Sequence, residues 1–327
     1  MKKTFIRRRV GALAALVLAA VAPLANAWTN KPVKMIVPAP AGGTMDIVAR
    51  ILADSISSEI GQPVVVDNKP GAGGAIAVQA LKAATPDGQT IMVTASNILT
   101  EIPLVMKTNF DPVADVKPVT MVARASMVLV APASVPANDV KGLIGHLKTV
   151  KGGKGNFASY STGTSSHYAG MIFASKNGLD LTHVPFPGSP PALQQLMSGQ
   201  VDLMFDGMAT SLPQIKGGKL KAFAVASKTR SVHQPEVPTT AEVGLAEIEF
   251  TNWVGTVVSA TVPADIVSKM NIATVKAAMS PKVRDRLIAA GFEPTVSESP
   301  DKLAQMVKTD IERNAKIVKA FNIHINQ

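Results

Sequence analysis

The chain has 327 residues, no cysteine, and 33 basic against 23 acidic side chains, a formal net charge of +10. Five of the basic residues (Lys2, Lys3, Arg7, Arg8, Arg9) and no acidic one lie before residue 28, so the rest of the chain carries only +5, from 28 basic and 23 acidic side chains. Thiolate chemistry, cysteine-ligated metals and a lipid-modified cysteine are excluded, and the lack of long basic runs with interleaved aromatics argues against nucleic-acid binding.

Residues 1–27 read as a cleaved secretory signal. A basic start is followed by an apolar stretch from Val10 to Ala22, then Pro23 and Ala25-Asn26-Ala27, with cleavage expected before Trp28. The apolar stretch is short for a bilayer span. The expected location is therefore the periplasm. The remaining residues, about 300, support one large domain or two lobes of ordinary size.

From Val33 onward, short apolar runs alternate with helical patterns, which predicts α/β layers on a mainly parallel sheet. Val33–Val37 reads as a strand. Val48, Ile51, Leu52, Ile56 and Ile60 then recur at helical spacing, stopped by Gly61 and Pro63. Val64–Val66 is a strand, Pro70–Gly74 leads into a helix through Lys82, and Pro86-Asp87-Gly88 turns into a strand at Thr90–Thr94. A second set follows Pro118. Val119–Val130 is a long apolar strand suited to crossing between lobes. Asn156–Tyr160, Thr182–Pro185, Val201–Phe205 and Leu220–Ala226 are strands, and helices start near Ser165 and Pro190. Trp253–Ser259 is a candidate return crossing, and helical patterns at Ala264–Met279, Pro281–Ala290 and Asp301–Phe321 close the chain.

Two loops draw attention. Ser161, Thr162, Thr164, Ser165 and Ser166 cluster around Gly163 where a helix begins. The first N–H groups of a helix lack internal partners, and the dipole is positive there, so an anion is favoured. N-capping needs only one or two such hydroxyls. The loop Pro38–Thr44, with Gly42 and Gly43, precedes an earlier helix in the same way, with Thr44 as a cap or a ligand contact. Asp46 is expected to shape this loop and not to touch an anion.

Other chemistry fits less well. Gly71, Gly73 and Gly74 mimic a dinucleotide fingerprint, but Ile76 stands where the third glycine is required. Ser165, His167 and Asp206 could form a hydrolase triad, yet position 167 breaks the G-x-S-x-G elbow. The histidines have no metal-ligand spacing, so neither a metal nor a cofactor is expected.

The run Lys34–Arg50, with Pro38-Ala-Pro-Ala-Gly-Gly-Thr44 and Asp46, resembles the first binding loop and helix of Bug-type receptors. These are the periplasmic solute receptors of tripartite tricarboxylate transporters. Gly61–Gly74, Ala84–Gly88, Tyr160–Gly170, Val184–Leu193, Gly199–Asp206 and Val237–Gly244 continue the resemblance in order. It implies a two-lobed clamshell of the type II periplasmic-binding-protein kind, each lobe a mainly parallel sheet flanked by helices. Lobe 1 would comprise 28–124 plus 229–327 and lobe 2 125–228. It further implies a monomer without catalytic activity that delivers a small di- or tricarboxylate, or an aromatic carboxylate, to inner-membrane transporter subunits.

Carried over by position, the ligand contacts are Ala41, Gly42, Gly43, Thr44, Ser96 and Asn97 from lobe 1. From lobe 2 they are Ser161, Thr162, Gly163, Thr164, Ser165, Ser166, Phe186, Gly188 and Asp206. The sequence departs from the family at Ala39, where an aromatic is common, at Ala41, where a proline is common, and at Phe186-Pro187, where tyrosine and lysine are frequent. A periplasmic serine hydrolase using Ser165 and His167 is the alternative from another class. A ligand-loaded sensor subunit would need the same clamshell.

Overall fold

Period-two spacing gives each strand two apolar faces, and the protein covers both. In β1 (Val33–Val37), Val33, Met35 and Val37 enter one core while Ile36 enters another. The computed structural model describes residues 28–323; the predicted signal at 1–27 lies outside them.

The first sheet is built on three parallel strands, β2 (Val64–Asn68), β1 and β3 (Thr90–Ala95), in the order β2-β1-β3. Beside β3 runs antiparallel β9 (Thr251–Ser259), and beside β9 the first half of β4 (Val116–Pro132), with the two-residue β10 (Glu293–Pro294) on its far side. The second sheet repeats the plan. Parallel β6 (Asp180–Pro185), β5 (Lys154–Ser159) and β7 (Leu203–Gly207) stand in the order β6-β5-β7. The second half of β4 lies antiparallel to β7, and β8 (Leu220–Val225) is antiparallel to β4. The two halves share no detectable sequence repeat but share one strand order.

β4 is the strand common to both. Ser126 pairs with Thr251 of the first sheet and Met127 with Gly207 of the second. The chain returns alongside it: the Phe250 N–H bonds to the Ala226 carbonyl at 3.0 Å, and β9 begins at the next residue. The crossing reading of Val119–Val130 thus describes a longer strand, and the return lies just before Trp253, because β9 itself pairs only within the first sheet. The apolar side chains Leu245, Ile248 and Phe250 pack in the second sheet's core.

Helices cover both faces of each sheet. The first, α1 (Thr44–Ile60), buries Val48, Ile51, Leu52, Ile56 and Ile60 against the first sheet, and Gly61 ends it with φ +66°, a left-handed cap that glycine takes without a Cβ clash. Further helices are α2 (Ala75–Lys82), α3 (Ser96–Thr100), α4 (Ile102–Val105), α5 (Val140–Val150), α6 (Ser165–Asn177), α7 (Ser189–Met197), α8 (Met208–Lys216), α9 (Ala264–Met279) and α10 (Pro281–Ala289). The last, α11 (Pro300–Ala320), bridges the halves: Leu303 and Val307 sit in the first sheet's core, Ile317 and Val318 against the second's. The helices α3, α4 and α8 have too few residues to be legible beforehand, and α8 even holds Pro213, whereas α5 was missed although Val140, Leu143, Ile144 and Leu147 recur at helical spacing behind the Asp139 cap.

Candidate functional site

Six parallel strands end at one place. The loops after β1, β2, β3, β5, β6 and β7 line a single cavity of about 180 Å³ between the two sheets. Ligands of open parallel sheets bind outside the carboxyl ends of the strands, where helix N-termini also point. Here both halves bring such ends to the same cavity.

The loop before α1 is held by Asp46. One carboxylate oxygen accepts the Gly42 N–H at 2.8 Å and Arg50 Nε at 2.9 Å. The other accepts Asn68 Nδ2 at 2.9 Å, and Asn68 also donates to the Ala39 carbonyl. Burial pushes this carboxyl up, but the hydrogen bonds from Arg50, Gly42 and Asn68 outweigh it and hold it below the usual range. The Gly43 N–H bonds to the Pro40 carbonyl at 3.1 Å. The amides of Gly42 and Gly43 are thus spent on the loop, and the donors α1 offers the cavity are the N–H groups of its first turn and the Thr44 hydroxyl.

The facing loop is held equally firmly. Thr164 donates to the Ser161 carbonyl at 2.7 Å, and the Gly163 N–H to His167 Nδ1 at 3.3 Å. His167 stacks on His183 with ring centroids 4.0 Å apart, and His183 Nε2 lies 2.7 Å from Ser159 Oγ. Burial depresses both imidazoles, His167 to about 4 and His183 to about 3, so both are neutral at pH 7.

Between the halves runs a buried polar chain. Ser96 donates to Asn252 Oδ1 at 3.0 Å, Asn252 Nδ2 donates to Ser165 Oγ at 2.7 Å, and Tyr160 lies 3.2 Å from the same oxygen. The Ser165 N–H and hydroxyl face the carboxyl of Glu101, which comes from the first half. Burial raises that carboxyl to about 8, against the lowering effect of Ser165. The start of α6 is therefore occupied by a carboxyl of the protein itself. Tyr168 adds a bond from its hydroxyl to the Glu101 carbonyl at 3.1 Å.

Of the residues read from the sequence, Gly43, Thr44, Asn97, Ser161, Thr164 and Gly188 line the cavity. Ala41 and Gly42 lie on the exposed side of their loop, and Thr162 is half-buried outside the lining. Gly163 is buried against Ile102 and Val105 of the other half. Ser96 and Ser165 belong to the polar chain, and Ser166 donates to the Phe205 carbonyl. Phe186 packs half-buried against a core of the second half.

Asp206 is fully buried behind the wall. Its carboxylate accepts Ser189, Thr210 and Ser211 at 2.5, 2.6 and 2.8 Å, while burial pushes its pKa up against those bonds. It orders the starts of α7 and α8 and does not face the cavity. Ser165, His167 and Asp206 are each engaged with different partners, so they are not joined as a triad. Cavity residues not foreseen include Met45, Ile98, Ile102, Met127, Tyr160 and Val254. Apart from Tyr160, which directly follows β5, they are apolar residues in helices or strands, and no local pattern separates them from core.

A clamshell whose halves share one cavity at their strand ends is the architecture of a solute-binding receptor. The chain belongs to the family described as "tripartite tricarboxylate transporter family receptor", whose model matches residues 48–323. Among its relatives, a UPF0065 protein in the tcbD-tcbE intergenic region of Pseudomonas sp. strain P51 is 34% identical over 98% of this chain and 96% of its own. BugT of Bordetella pertussis is 31% identical over 90% of each. Among solved structures, the periplasmic binding protein BugD is 32% identical with a TM-score of 0.83, covering 90% of this chain and 99% of its own. MatC from Rhodopseudomonas palustris with bound malate is 30% identical with a TM-score of 0.82, covering 88% and 99%. A further R. palustris protein with adipate is 29% identical with a TM-score of 0.86, covering 91% and 99%. One of these structural neighbours is a periplasmic binding protein, and two hold a carboxylate. Among the described residues no helix is long and apolar enough to cross a membrane.

Proposed function

We propose that the protein is exported, loses residues 1–27, binds a small organic carboxylate in the periplasm as a monomer, and delivers it to membrane subunits of a tripartite transporter without chemical change. The observation that carries this reading is the convergence of loops from both sheets on one cavity. The carboxylates bound by MatC and by the adipate-bound neighbour are consistent with it. The outgoing lobe boundary is better placed at 126/127 than at 124/125, since Ala125 lies in the first core and Ser126 pairs with Thr251 of the first sheet. The return crossing is better placed at 250/251 than at 228/229, since Leu245, Ile248 and Phe250 lie in the second core.

The carboxylate meets the first turn of α1, with Thr44 and Asn97, and then gains Ser161 as the lobes close. A ligand shifts the lobes toward closure only by what it gains from touching both. Each hydrogen bond to a charged group contributes about 1.5–3 kcal/mol, so three or four give micromolar affinity after the cost of ordering.

Gly163→Val tests the site, because a Cβ at Gly163 would lie 2.8 Å from Val105 Cγ2 and 3.4 Å from Ile102 Cα in the other lobe. Calorimetry should show binding lost while circular dichroism stays native. Undiminished affinity in both Gly163→Val and Gly43→Val would remove the site assignment.

A further inference from the structure

We infer that the ligand is a monocarboxylate whose remaining body is apolar and about one six-membered ring in size. This rests on the receptor reading above and narrows it. The argument is a count of what the cavity can still bond.

None of the residues lining the cavity is charged. The three carboxyl groups nearest in sequence to the lining, Asp46, Glu101 and Asp206, are buried behind its walls and bonded to or faced by protein groups. Asp46 is held ionised and Glu101 holds its proton, so none of the three offers a second anion a positive charge. Most polar groups of the wall are also committed. The Ser189 hydroxyl goes to Asp206 and that of Thr164 to the Ser161 carbonyl. The Asn252 amide is used at both ends, by Ser96 and Ser165. Gly42 and Gly43 spend their N–H groups within their own loop. Among the side chains, Thr44, Asn97 and Ser161 remain, the last with a hydrogen bond to Thr162 that is long at 3.4 Å, and they are joined by the backbone N–H groups of the first turn of α1. That donor set suits one carboxylate, which accepts about four hydrogen bonds.

The rest of the wall is apolar: Pro38, Met45, Ile98, Ile102, Met127 and Val254. A second carboxylate against these side chains would be desolvated with no cation and few donors, which is strongly unfavourable. Size sets the body. A cavity of about 150 Å³ lined by apolar side chains accepts benzene, and this one is about 180 Å³ with a polar end. Malate and adipate, bound by two of the structural neighbours, each carry two carboxylates, so this chain is assigned a different preference within the same architecture.

The test is calorimetric titration of the purified protein with benzoate, hexanoate, adipate, citrate and benzyl alcohol. Benzoate or hexanoate should bind at least tenfold more tightly than adipate, with no binding of citrate or of uncharged benzyl alcohol. Adipate or citrate binding as tightly as the best monocarboxylate would overturn the monocarboxylate assignment and leave the receptor reading intact. Benzyl alcohol matching benzoate, or no response to any carboxylate, would overturn the receptor reading as well.

Discussion

A Cβ atom on Gly188 would lie 2.5 Å from Cγ of Pro40, on the opposite lip of the cleft. The same apposition recurs nearby. A Cβ on Gly207 would lie 2.9 Å from Thr44 Oγ1, and one on Gly163 2.8 Å from Val105. The lobes meet over glycines, and each added side chain would act as a doorstop.

Gly188→Ala should therefore hinder closure. The position has φ +125°, a region that disfavours any side chain, so the substitution also costs stability, about 1–3 kcal/mol. The expected result is a fall in affinity of roughly tenfold or more with a larger radius of gyration by small-angle scattering in the presence of ligand. Unchanged affinity and radius would show that the lips need not meet.

Asp46→Ala should loosen the first binding loop without touching the ligand. It removes the acceptor of Gly42, Asn68 and Arg50. A stability loss of about 2 kcal/mol is expected, since a hydrogen bond to a charged group contributes about 1.5–3 kcal/mol and Arg50 is largely exposed. Urea denaturation measures it. Asp46→Asn, which keeps an acceptor, should lose less.

Asp206→Ala should be more costly, by about 3 kcal/mol or more, because three buried hydroxyls lose their acceptor at once. Asp206→Asn should recover part of this. Thermal melts of the pair, with and without ligand, separate lost stability from lost affinity: the ligand-induced rise in Tm should shrink in both, as the α7 start that carries Gly188 and Ser189 is released.

Glu101 makes stability fall with rising pH. Its folded pKa of about 8 exceeds the unfolded value, so between the two the folded state holds a proton the unfolded state has lost. The contribution is present in full below the unfolded pKa and is lost as pH rises through about 8, at up to about 1.4 kcal/mol per pH unit. Tyr160, Tyr168 and, more remotely, Asp310 and Arg313 surround it. His167 and His183 act in the opposite sense, destabilising as pH falls below their unfolded pKa near 6.5. Stability between pH 6.5 and 8 should decline in the native protein, and Glu101→Gln should flatten that limb. A slope unaltered by Glu101→Gln would assign the decline elsewhere.

The regular elements were legible where spacing and punctuation agree. In α1, five apolar residues at helical spacing end at Gly61, and α9 runs from Ala264 to Met279 as its pattern predicts. Elements that lean on the rest of the fold were not. Ser96–Val105 forms two short helices with a break at Glu101, and α8 is short and interrupted by Pro213; α5, by contrast, carried a readable apolar stripe at 140, 143, 144 and 147 that was passed over. The hydroxyl cluster 161–166 was visible as a group, but its division of labour was not. Ser161 and Thr164 line the cavity, whereas Ser165 and Ser166 turn inward to Asn252 and Phe205.

The amino-acid order by itself determined the α/β alternation, the glycine-marked loops before α1 and α6, and the absence of thiolate chemistry, because these depend on neighbours within a few residues. Which groups face the ligand was decided only by the folded chain. Asn252 lies 87 residues from Ser165, and Glu101 is 64 before it, yet β4 and β9 bring all three together behind the cleft. A donor is available to a ligand only if nothing else has taken it, and its competitors come from distant parts of the sequence.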